Sequence, residues 1–170
     1  MLRFFVTFMV LLGVLFTVEL LNPVQEHVVI PFTGILATIS AEIMQFFDSD
    51  VTSSGIIIRS LSSGFSVEIR AGCNGVEAVI ILFAAVFAFP APWKHKVVGF
   101  VAGFFAIQAL NLIRIVSLFY IGQWSFTAFK WAHLYVWQAL IILDALVVWL
   151  IWLRFLPPER PADPPKPATA

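Results

Sequence analysis

The 170-residue chain reads as an all-α multi-pass membrane protein: about four transmembrane helices, an interfacial helix on the outer face and a short extracytoplasmic β-hairpin. Three observations carry that reading. Apolar residues make up 61% of the chain and charged residues 12%, against roughly 45–50% and 25% in a soluble domain. The mean hydropathy is +0.96. Several apolar runs approach the ~20 residues that cross a ~30 Å hydrocarbon layer. A water-soluble globular domain is thereby excluded. The 10 basic and 10 acidic residues cancel, so no basic surface points to nucleic acid. Cys73 is the only cysteine, which excludes an intramolecular disulfide and a Cys-rich metal site. His27, His95 and His133 lie too far apart for ligand spacing, and no metal is expected.

The first run, Leu2 to Leu21, is long enough to span and stops at Asn22-Pro23, where proline ends a helix. A single Arg3 stands at its start and no small-residue cleavage pattern follows, so it reads as an uncleaved anchor. Pro31 to Phe47 is interrupted by Ser40, Glu42 and Gln45, and reads as a helix lying on or dipping into the outer leaflet in preference to a span. Gly55 to Arg59 is rich in β-branched residues and Phe65 to Arg70 alternates with period two. Joined through Ser62-Ser63-Gly64, they predict a hairpin. Helices two to four are Val76 to Phe89, Val97 to Ile121 and His133 to Phe155. The second reaches spanning length when it starts at Cys73 or Asn74 and ends against Pro90. Residues 1–156 thus form one integral-membrane domain with an extracytoplasmic or interfacial insert at 22–72. The proline-rich tail, 157–170, reads as disordered and cytoplasmic.

Basic residues in short loops favour the cytoplasm. With the N-terminus inside, Arg3, Lys94, Lys96, Arg154, Arg160 and Lys166 are cytoplasmic, against Arg59, Arg70, Arg114 and Lys130 outside or near the outer face, a bias of 6 to 4. Cys73 then lies at the outer surface and both termini inside.

Three residues converge on that surface. Cys73 stands where hairpin becomes helix, where the helix dipole favours thiolate and the N–H groups near Asn74 and Gly75 suit an oxyanion. Inert packing is the other reading of a lone cysteine. Arg114 lies ~10 Å inside the outer end of helix three, at 1.5 Å per residue. An arginine at that depth faces the bundle interior or snorkels to the headgroups, and Asn111, three residues away, shares its face. His133 opens helix four, either as an interfacial polar residue or as the proton-transfer partner of the cysteine. Glu77 follows Cys73 by one turn and suits orienting His133 or neutralising Arg114. Asp144, three turns below His133, reads as a structural partner for a polar group in the bundle.

Cys73-Asn74-Gly75, then Asn111-Leu112-Ile113-Arg114 on the next long apolar helix, then His133 at the start of another, resemble the Cys, Arg and His motifs of the exosortase/archaeosortase family. The resemblance covers roughly 70–140, and the small size looks most like exosortase H. Family members usually carry serine or alanine after the cysteine and more helices. The resemblance implies a cysteine transpeptidase or protease of the bacterial inner membrane, its site facing the periplasm or cell exterior. Its substrates would be exported proteins with a C-terminal sorting signal made of a short motif, a transmembrane helix and a basic cluster. An envelope or lipid acceptor would resolve a thioester on Cys73. Arg114 would stabilise the oxyanion, His133 would protonate the leaving amine, and Asn74, Glu77 and Asn111 would bind or orient. No cofactor is required. A different class stays open: a non-catalytic assembly subunit or small transporter whose Arg114, Glu77 and Asp144 hold the helices together.

Overall fold

The computed structural model describes residues 1–156; the tail at 157–170 lies outside the described residues. Helix α1 is Leu2–Glu19 and α2 is Asn22–Gln45. Strands β1 (Val51–Ser54), β2 (Ile57–Ser60) and β3 (Ser66–Glu68) follow. Then come α3 (Val76–Ala88), α4 (Trp93–Trp124) and α5 (Phe126–Arg154). Among the described residues, four helices are long and apolar enough to cross a membrane: α1, α2, α4 and α5. Helix α3 is equally apolar but has 13 residues, about 20 Å at 1.5 Å per residue.

Helices α1, α3, α4 and α5 pack side by side in alternating directions. Aromatic contacts at one end fix this: the Phe4 ring stacks on Trp149 at 6.2 Å and meets the edge of Phe89 at 5.9 Å. At the same end the Trp152 indole donates to the His95 carbonyl (3.0 Å) and Lys96 Nζ to the Phe87 carbonyl (2.8 Å). The start of α1, the α3–α4 turn and the end of α5 therefore lie together, and the Cys73 loop lies at the opposite end. Ala78, Leu82, Val86, Ile107, Ala145 and Trp152 form the core of this bundle. Close approach of α4 to α5 depends on Gly99, where a Cβ would stand 2.1 Å from the Trp152 ring. Gly99→Ala is expected to displace that indole, break its bond to His95 and lower the thermal midpoint of the purified protein. Overpacking of this kind costs about 1–3 kcal/mol. An unchanged midpoint would show that the ring relocates freely.

A second core occupies the Cys73 end. There Leu36, Ala37, Ala41 and Met44 of α2 enclose Val51, Ile58 and Ile69 around the sheet, closed by Ile115 and Phe119 of α4. The Phe32 ring meets Phe104 and the Phe47 ring meets Tyr120, so the later part of α2 runs beside α4 in the same direction. The sheet is an antiparallel meander in the order β1-β2-β3, with Ser54 opposite Ile57 and Ile58 opposite Val67. Its turn is tied down by Asp50, whose carboxylate accepts from Ser60 Oγ and from the amide and hydroxyl of Ser62. Those hydrogen bonds hold the Asp50 carboxyl below its ordinary value.

Several boundaries differ from the sequence reading. The expected hairpin is β2 with β3, but β1 adds a third strand; its short, polar Val51-Thr52-Ser53-Ser54 shows no periodicity and is ordered by pairing with β2. The segment expected as an interfacial helix over 31–47 is the later part of α2, which starts at Asn22 because Pro23 suits a helix N-terminus. Helix α3 begins at Val76, not at Cys73 or Asn74, because Gly75 adopts a left-handed conformation (φ 75°) ahead of it. Helix α4 starts at Trp93, directly after Pro92. Helix α5 starts at Phe126, capped by the Ser125 hydroxyl, which accepts from the Ala128 amide.

Candidate active site

Two glycines shape the loop that carries the thiol. Gly72 (φ 82°) and Gly75 (φ 75°) bracket Cys73-Asn74 in conformations that side chains with a Cβ resist. At Gly75 a Cβ would also stand 3.0 Å from Gln108 Nε2 and 3.3 Å from Asn111 Cγ, so the loop rests directly on α4. Asn74 is fully buried. Its Oδ1 accepts from the Val76 amide (3.1 Å) and its Nδ2 donates to Thr33 Oγ1 of α2 (3.0 Å). The Glu77 carboxylate accepts from the Gly72 amide, and the Cys73 amide donates to the Arg70 carbonyl at 2.9 Å. With its neighbours bound in this way, Cys73 has a fixed position.

Around that position stand Arg114 and His133. Cys73 Sγ lies 2.9 Å from His133 Nε2. Arg114 is 1% exposed; one terminal nitrogen donates to the Gly72 carbonyl (3.0 Å) and the other to Cys73 Sγ (3.5 Å). The three residues come from the loop, from α4 and from α5. His133 is not the first residue of its helix; it lies about two turns in, within a π-helical stretch at Ala132–Val136, a distortion that often marks functional positions. Phe129, one turn earlier, stacks on the imidazole at 5.7 Å and 19°.

The sequence profile of the transmembrane exosortases matches residues 1–153. The chain belongs to the transmembrane exosortase family. No curated protein and no solved structure shows significant similarity to this exosortase.

Burial governs the resting thiol of the exosortase. It pushes Cys73 above its ordinary value, with the Arg114 guanidinium pulling the other way and the Glu77 carboxylate adding to the rise. The expectation that a helix dipole favours thiolate at Cys73 is corrected in its geometry: α3 starts three residues later, at Val76, so the sulfur lies outside the first helical turn, where the dipole acts. The amides of Asn74 and Gly75, both in buried residues, donate no hydrogen bond among the described residues. Glu77 bonds to the loop backbone and not to His133. Asn111 makes no hydrogen bond to Cys73; its Nδ2 reaches Gln108 Oε1 at 3.4 Å. Sequence reasoning passed over Thr33, Gln108 and the Gly72 carbonyl. Gln108 carried a usable signal, as a polar residue within an apolar helix; Thr33 and Gly72 carried none.

Proposed function

We propose that this exosortase is a membrane-embedded cysteine transpeptidase that cleaves the C-terminal sorting signals of exported proteins through a thioester on Cys73. The observation that carries the proposal is the Cys73–His133 contact at 2.9 Å with the Arg114 guanidinium on the same sulfur. A thiol with an adjacent imidazole is an activated nucleophile. In the first step the Cys73 proton passes to His133 Nε2 and the sulfur bonds to the peptide carbonyl carbon. The carbonyl oxygen takes the negative charge, which Arg114 and the free amides of Asn74 and Gly75 stabilise. Collapse breaks the C–N bond, and imidazolium His133 gives its proton to the leaving amine. An amine or hydroxyl of an envelope or lipid acceptor then displaces sulfur; with water in that role the reaction is plain proteolysis.

The same reading orients the chain in a bacterial plasma membrane. Lys94 and Arg154 belong to the end that also holds the start of α1, and basic residues favour the cytoplasm. Cys73 then faces outward, where an exported substrate presents its cleavage motif above a transmembrane helix and a basic cytoplasmic cluster.

Trapping the thioester tests the proposal. Wild type co-expressed with a protein carrying a sorting signal is expected to hold a substrate fragment on Cys73, seen by mass spectrometry and released by hydroxylamine. His133→Ala removes both the base that takes the thiol proton and the acid that protonates the amine, so it should show neither adduct nor cleavage above background. Cleavage at the normal rate in His133→Ala would overturn the roles of both residues. In intact spheroplasts a membrane-impermeant maleimide should label Cys73; labelling only after the cytoplasmic face is opened would reverse the orientation.

A further inference from the structure

Behind the Cys73 loop, three polar atoms are buried without a partner: Arg114 Nε, Asn111 Oδ1 and Gln108 Nε2. All three residues are more than nine-tenths buried. Arg114 and Asn111 line a small cavity of about 10 Å³ between α3, α4 and α5, closed by Gly75, Trp137, Ile141 and Asp144. That is about the room one water molecule takes, and the wall offers the donors and acceptors a water requires. Asp144 is the acid on this wall. No carboxylate contacts the guanidinium directly, since Arg70 with Glu68 is the only ion pair among the described residues. Asp144 nevertheless lines the same cavity as Arg114, and a buried cation requires compensation.

We infer that Asp144 is the charged counter-ion of Arg114, acting across this cavity, and that it thereby offsets the attraction of the guanidinium for negative charge on the Cys73 sulfur. Asp144 is thus a positioning residue in the electrostatic sense; it touches neither the sulfur nor the substrate. The charged and titratable groups around the guanidinium are Cys73 in the loop, Glu77 on α3 and Asp144 on α5, with His133 of α5 facing the sulfur. One cation between two anions gives the thiol little incentive to ionise before His133 accepts its proton.

The inference bears on the proposed catalytic role but its test needs no substrate, so the two fail separately. Cys73 is the only thiol, and its alkylation by iodoacetamide can be followed against pH in the purified full-length protein. Asp144→Asn removes a charge and preserves shape, leaving Arg114 less compensated and the thiolate favoured. The alkylation midpoint should fall by about one pH unit, the size of a unit charge acting over ~10 Å at an effective dielectric of ~20. The plateau rate at high pH, which reports access to the sulfur, should not change, and Asp144→Glu should restore the midpoint. An infrared difference spectrum between wild type and Asp144→Asn should lose a carboxylate stretch. An unmoved midpoint, an equal fall in Asp144→Glu, a raised plateau, or loss of a protonated carboxyl band would each overturn the inference. If Asp144→Asn does not accumulate, Asp144→Ser supplies the same comparison with a smaller side chain.

Discussion

Cys73→Ala is expected to reduce processing of a sorting-signal substrate to background, with the uncleaved precursor retained in the membrane by its C-terminal helix. The loss is the largest of any substitution because no other thiol exists in the chain to replace the nucleophile, and residues acting as one catalytic unit lose nearly everything when one is removed. The fold should be untouched: the sulfur sits at the edge of a core built from other side chains, so protein level and thermal midpoint should match wild type. Combining Cys73→Ala with His133→Ala should cost no more than Cys73→Ala alone. Normal processing by Cys73→Ala would remove the nucleophile assignment and leave the buried polar residues as a scaffold that holds helices together.

The second large effect belongs to Arg114→Lys. An ammonium keeps the charge but not the planar fork that reaches the Gly72 carbonyl and the Cys73 sulfur together. Turnover should fall by about 10²–10³-fold, the cost of losing an oxyanion donor, while membrane insertion survives. The geometry adds a second consequence, because the Gly72 carbonyl loses a donor and the loop loses its tether to α4. Saturating substrate should therefore not restore the rate. Activity within a few-fold of wild type, at normal protein level, would reduce Arg114 to an ion-pair role.

What the sequence disclosed depended on whether the signal was local. Helices α1, α4 and α5 were legible because lipid-facing surfaces leave long apolar runs. The β2–β3 hairpin was legible through alternation and Ser62-Ser63-Gly64. Strand β1 was not, because its order comes from pairing with β2 and not from its own residues. The early start of α5 was hidden by Lys130 and the aromatic cluster around it, which resemble a loop at a membrane boundary. Cys73, Arg114 and His133 stood out because a polar group in an apolar chain carries a solvation cost that something must offset. The supports of the site were less visible. Thr33 is an ordinary threonine until Asn74 meets it from 41 residues away, and the strain relieved by Gly72 and Gly75 exists only in the folded loop.

Helix α4 has 32 residues, about 48 Å at 1.5 Å per residue, whereas the hydrocarbon layer is about 30 Å thick. Arg114 is 21 residues along it from Trp93, or about 32 Å, which is one hydrocarbon thickness from the Lys94 end. In the proposed orientation, with Lys94 at the headgroups on one side, Cys73 would stand where the opposite hydrocarbon boundary falls. Under the proposed mechanism, lipid composition would then enter the partition between products. A thinner bilayer would lift the thioester into bulk water, where hydrolysis competes; a thicker one would withdraw it among acyl chains, where an amphiphilic acceptor is concentrated and water is scarce.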